Sequence, residues 1–191
     1  MSVPEIGILL LGDANVGKSA FLSRIILGPG SGQQKQSLPL LRDINQPFNF
    51  DATFGSRPFR LHFSDTSSPE NYTLLRPNLI VLCYDVTSRA TLKSVQTTWK
   101  HIVETHFNYD ESLPVILLGL KRDLRREGVD GMVMPYEGLN TAQEMRCDRY
   151  CECSANTGEL CAQVFEDLAR TAAMTTTAAG GRSEPPPCVV M

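Results

Sequence analysis

The stretch G12-D-A-N-V-G-K-S19 has residue types at a spacing that can do chemistry. It matches G-x-x-x-x-G-K-[ST]. In that pattern the glycines let main-chain N–H groups curl around phosphate oxygens, the lysine reaches the terminal phosphates, and the serine hydroxyl ligates Mg²⁺. An incidental glycine turn would not explain why Lys18 and Ser19 open a helical pattern that runs to about Leu27. The expected nucleotide-binding residues here are Gly12, Asp13, Ala14, Asn15, Val16, Gly17, Lys18, Ser19 and Ala20. Asp65 closes a short alternating apolar segment. A lone aspartate there is most often a turn residue, but the phosphate loop upstream makes it a candidate metal group beside Ser19, acting through water.

Such residues need a scaffold to hold them. Residues 6–11 (I-G-I-L-L-L) form a continuous apolar run, as a strand buried on both faces does. Residues 79–86 and 113–118 share this character, and residues 150–154 form a shorter candidate. Leu92, Val95, Trp99, Ile102 and Val103 recur at helical spacing, as do Leu160, Val164, Phe165 and Leu168. Strands alternating with helices imply a parallel sheet covered on both faces. One region breaks the alternation. Phe48, Phe50, Ala52 and Phe54, then Phe59, Leu61 and Phe63, alternate with polar residues across Gly55-Ser56. This spacing predicts a β-hairpin that adds one antiparallel edge. Residues 28–37 read as a loop rich in Gly, Ser and Gln. The expected organisation is one α/β domain over residues 1–174 and a flexible tail over 175–191.

Composition bounds the function. The chain has 191 residues, 42% hydrophobic and 20% charged, as a single globular domain would. A formal net charge of -3 argues against bulk nucleic-acid binding. No apolar run approaches membrane-spanning length, and the N-terminal run stops at Gly12-Asp13, unlike a secretory signal. The six cysteines fit a reduced, cytosolic context better than a disulfide framework. Cys147, Cys151, Cys153 and Cys161 lack the paired C-x-x-C spacing of zinc sites, and His101 and His106 do not share a helix face.

With the phosphate loop, Asp65-Thr66, L-K-R-D123 and E-C-S-A155 in that order, the sequence resembles the Ras superfamily of small GTPases, over about residues 6–174. Within it, E70-N-Y-T-L-L-R-P77 is similar to the segment that follows the metal aspartate in the Rho family. The resemblance implies the small-GTPase fold: a mostly parallel six-stranded sheet with one antiparallel edge strand and helices on both faces. It implies GTP and GDP as ligands and Mg²⁺ as cofactor. Asp123 would accept hydrogen bonds from guanine N–H groups. Lys121 would lay its stem along the base, with Leu124 nearby. Ser154, Ala155 and Asn156 would complete the base site, the Ala155 N–H meeting the guanine oxygen. Ser68 would face the third phosphate.

The chain departs from the family pattern at several of these positions. Leu120 replaces a polar residue that bonds the base and braces the phosphate loop. Asn156 stands where a lysine is usual, and Ala14 where a glycine is common. The family's D-T-A-G-Q-E becomes D65-T-S-S-P-E70. Pro69 takes the place of the glutamine that orients the attacking water, and it has neither a side-chain amide nor a backbone N–H. No residue is thus assigned a catalytic role. The threonine that covers Mg²⁺ in the family has no clear counterpart. Thr53 falls inside the first hairpin strand. The switch is expected within residues 37–45, where Ser37 or Asp43 could substitute. The segment between Asp123 and Tyr150 is short for a Rho protein, so the extra Rho helix is expected to be missing or stunted.

The terminus C188-V-V-M191 fits C-a-a-X, with Met favouring a farnesyl group on Cys188. One lipid without a polybasic run gives weak, reversible attachment. The expectation is a signalling switch on the cytoplasmic face of a membrane, the plasma membrane first, exchanging with cytosol. Its partners would be effectors, exchange factors and a prenyltransferase, with no nucleic acid, and its GTP hydrolysis would be slow. The alternative is a pseudo-GTPase that serves as a GTP-loaded effector-binding module. A P-loop nucleoside kinase is disfavoured, because L-K-R-D followed by E-C-S-A is not expected there.

Overall fold

The computed structural model describes residues 3–28, 37–41, 46–54, 57–65, 73–107 and 112–176. The apolar runs become strands β1 (Glu5–Leu11), β4 (Leu79–Asp85), β5 (Val115–Leu120) and β6 (Arg149–Glu152). The two alternating runs become β2 (Phe48–Phe54) and β3 (Arg57–Asp65). The helices are α1 (Lys18–Ile26), α2 (Arg89–Ser94), α3 (Lys100–His106), α4 (Pro135–Glu144) and α5 (Cys161–Met174), and a π-helical turn (Val95–Trp99) joins α2 to α3. The sheet order is β2-β3-β1-β4-β5-β6. Among the described strands only the β2–β3 pair is antiparallel.

Side-chain alternation along the central strands explains why both faces must be covered. Ile6, Ile8 and Leu10 of β1, with Leu79, Val81 and Cys83 of β4, pack toward α1 and α5. Leu9 and Leu11, with Ile80, Leu82 and Tyr84, face the α2–π–α3 segment and α4. The hairpin joins the first core through an aromatic trio: Phe50 and Phe63 lie edge to face with ring centroids 5.3 Å apart, and Phe165 of α5 sits 5.9 Å from Phe50.

The hairpin register settles the place of Thr53. It pairs with Pro58 inside the antiparallel ladder, so it cannot also serve as a switch residue over the metal. The turn at Gly55-Ser56 lies outside the described residues. Several strand boundaries differ by a residue or two from the expected ones. β5 ends at Leu120 and starts only after Pro114, which has no N–H to give to a ladder. β6 starts at Arg149, one residue before the expected Tyr150, and stops at Glu152. Between a 3₁₀ turn (Arg122–Leu124) and α4 the chain runs through turns, and no extra helix lies among these described residues. No described helix is long and apolar enough to cross a membrane. Strand order reverses at β1, which lies between β3 and β4. Ligand crevices of open α/β sheets form at such a point, beyond the carboxyl ends of the strands.

Candidate functional site

Four strand ends deliver the site: β1 leads into Gly12, β3 ends in Asp65, β4 in Asp85, and β5 in Leu120 before Lys121. Gly12 has φ 151°, and a Cβ there would lie 2.3 Å from the Cys83 carbonyl oxygen, so the loop leaves β1 at a position only glycine fills. Gly17, at φ 114°, ends the loop and caps α1. Lys18 is buried and folds back over the loop, its ammonium donating to the carbonyls of Gly12 at 2.8 Å and Asp13 at 2.9 Å. The Ser19 hydroxyl donates to the Asp65 carboxylate at 2.7 Å, and the Lys18 ammonium lies 4.0 Å from that carboxylate. Gln46 fixes Asp65 from the hairpin side. Its side-chain oxygen accepts the Asp65 N–H at 2.9 Å and its amide donates to the Asp65 carbonyl.

A cation, a hydroxyl and a carboxylate thus converge at the start of α1, whose dipole favours anions. Ser19 and Asp65 supply neighbouring hard oxygen donors, the set that suits Mg²⁺. Asp13 points away from this cluster. Its carboxylate accepts from the Ser94 hydroxyl and from the Trp99 indole N–H, each at 2.7 Å. The π turn therefore grips the phosphate loop from behind. Ala14 and Asn15 are exposed on the outer curve, Asn15 at φ 64°, while Val16 is buried beneath it.

The other end of the crevice is a cavity of about 220 Å³ lined by Gly17, Ala20, Leu38, Lys121, Asp123 and Ala155, among others. Asp123 is aimed by its neighbours: the Ser154 hydroxyl donates to one carboxylate oxygen at 2.6 Å and the Asn156 amide to the other at 3.2 Å. Asn156 therefore binds Asp123 directly from the position where the family pattern has a lysine. Leu120 is 1% exposed and lies against the phosphate loop, within 3.7 Å of where a Gly17 Cβ would sit. The polar brace of the family pattern is here an apolar contact. Lys121 adds a charged brace, donating to the Asn15 carbonyl at 2.7 Å and the Asp85 carboxylate at 2.6 Å. Leu124 is half exposed at the rim.

The structure gathers the phosphate-loop residues, Asp65, Lys121, Asp123, Leu124, Ser154, Ala155 and Asn156 along one crevice. Ser68, Pro69, Asp43 and Cys188 lie outside the described residues. Ser37 precedes Leu38, which lines the base-end cavity, and the Ser23 hydroxyl ties this segment to α1 through the Pro39 carbonyl at 2.7 Å. Among the described residues no three metal-ligating side chains gather, and burial pushes the thiols of Cys83, Cys147 and Cys151 up to about 12.

Sequence reasoning missed Asp85, Arg24, Gln46 and Leu38. Asp85 and Arg24 carried a readable signal. Asp85 ends an otherwise apolar strand, as Asp65 does, and Arg24 is a lone charge among the apolar residues Phe21, Leu22, Ile25 and Ile26.

Strand, loop, helix and the second aspartate together define a P-loop nucleotide-binding domain. A model of the Ras family matches residues 7–174. The chain is 28% identical over 183 residues to the Rho-related GTP-binding protein RhoF of Homo sapiens, across 88% of this chain and 82% of that protein. It is 31% identical over 169 residues to the Ras-like GTP-binding protein RhoL of Drosophila melanogaster, across 85% and 84%. Against the GTP-binding protein RHO1 of Saccharomyces cerevisiae it is 27% identical over 192 residues, across 93% and 88%. The chain belongs to the Ras family, as a Rho-like small GTP-binding signalling protein.

Proposed function

We propose that the protein is a signalling switch whose own GTP hydrolysis is slow. The observation that carries the binding half is the Ser19–Asp65 contact at 2.7 Å beside the Lys18 ammonium, with Asp123 presented at the far end of the same crevice. Lys18 binds the terminal phosphates, Ser19 and Asp65 hold Mg²⁺, and Asp123 with the Ala155 N–H reads guanine. The metal, when bound, neutralises phosphate charge. The slow half rests on the sequence: Pro69 brings no group that can orient water. Catalysis of this class is mostly positioning and charge stabilisation, so that loss is costly. Effectors and exchange factors are the partners of such a switch. A farnesyl group on Cys188, added by a prenyltransferase, would hold it loosely to a cytoplasmic membrane face. Here the support is the C188-V-V-M191 motif alone.

Single-turnover hydrolysis of GTP bound with Mg²⁺ tests the proposal. The wild type is expected to hydrolyse GTP slowly but measurably, and Pro69→Gln at least tenfold faster. Fast hydrolysis by the wild type would refute the slow switch. Retention by both proteins, even with a cell extract added, would favour the pseudo-GTPase module.

A further inference from the structure

We propose that Arg24 is a specificity-determining positioning residue: from beneath the base loop it holds the main chain so that the Ala155 N–H meets an oxygen, not an amino group, at position 6 of a purine. This inference rests on the nucleotide-binding reading above. Arg24 lies in the last turn of α1, is 2% exposed, and shares that helix with the buried apolar residues Phe21, Leu22 and Ile25. A charge in such a place is costly unless its donors are met. Two of them are met by one loop: Nε donates to the Ala155 carbonyl at 2.6 Å and Nη2 to the Asn156 carbonyl at 2.9 Å.

The carbonyl before these is held as well. The Ser154 oxygen accepts from the Gly158 N–H at 2.8 Å and from the Cys161 thiol at 3.3 Å. Three successive carbonyls are therefore turned into the protein. In a trans peptide the N–H points opposite to the carbonyl of the same plane. With the Ser154 and Ala155 carbonyls held inward, the N–H groups of Ala155 and Asn156 turn outward, and both residues line the base-end cavity. N–H donors backed by a buried guanidinium suit an acceptor on the ligand. A 6-oxo purine offers one there, whereas a 6-amino purine offers a donor.

Dissociation constants of guanosine, inosine and 2,6-diaminopurine riboside diphosphates would be measured for the wild type, Arg24→Met and Arg24→Lys. Arg24→Met is expected to weaken the two 6-oxo ligands by about tenfold each, the size of one charge-assisted hydrogen bond, and the diaminopurine ligand by less than about twofold. Arg24→Lys, which keeps a cation able to reach one carbonyl, is expected to recover part of the loss. It also stands in if the Met variant does not fold. Equal weakening of all three ligands, or none, would overturn the inference, because a merely structural arginine acts alike on every base. If the wild type binds none of the three, the nucleotide reading itself falls.

Discussion

The Lys121–Asp85 contact shows how a single residue holds the site when a familiar partner is missing. Leu120 cannot offer the hydrogen bonds of a polar side chain, but its burial against Gly17 keeps the phosphate loop and the base loop in contact. Lys121, anchored by Asp85 at 2.6 Å, bonds the loop carbonyl of Asn15. Asp85→Asn keeps the shape and removes the charge. Hydrogen bonds to charged groups contribute about 1.5–3 kcal/mol, so guanine-nucleotide dissociation should quicken by roughly tenfold or more. Stopped-flow release of a fluorescent GDP would read it.

At the scale of elements, specific side-chain contacts fix the π turn against the phosphate loop and the start of α4 against α2. The π turn places Trp99 so that its indole N–H reaches Asp13 at 2.7 Å while the ring stays in the core. Trp99→Phe keeps much of the burial and drops the donor. Denaturant unfolding should show a loss of about 1–3 kcal/mol, and nucleotide release should quicken with it. The start of α4 is fixed electrostatically. The Glu137 carboxylate accepts from Arg89 at 2.6 Å and from the Met134 N–H at 2.9 Å, and both hold its pKa below the ordinary 4.5, the Arg89 hydrogen bond most. A depressed folded value means stability that is present at neutral pH and lost as pH falls below 4.5 through that lower value. Arg89→Met should shrink the acid-induced loss in that window in thermal melts, and modestly, because Arg89 is half exposed.

At the scale of the whole molecule, the crevice joins strand ends that are far apart in the chain, so a ligand there stabilises the fold as a unit. GDP with Mg²⁺ at a hundred times its dissociation constant should add about 2.7 kcal/mol to unfolding. Calorimetry should show one transition moving up. A Lys18→Ala variant should show little movement.

Much of this architecture was legible in the sequence because its signals are local. Continuous apolar runs belong to strands buried on both faces, the alternating pair of runs to the hairpin, and the glycine-lysine-serine spacing to a strand–loop–helix turn. These determined the fold class, the phosphate loop, the place of Asp65 and the hairpin in which the register then set Thr53. Tertiary structure alone decided the partners of those residues: Asp85 on Lys121, Gln46 on Asp65, Trp99 on Asp13, and Arg24 on the carbonyls of Ala155 and Asn156. Each of these contacts joins residues at least 19 positions apart, and most far more. Periodicity and short motifs report the neighbourhood of a residue along the chain. A hydrogen bond between two strand ends, or between a helix and a distant loop, exists only once the sheet has fixed their order and register.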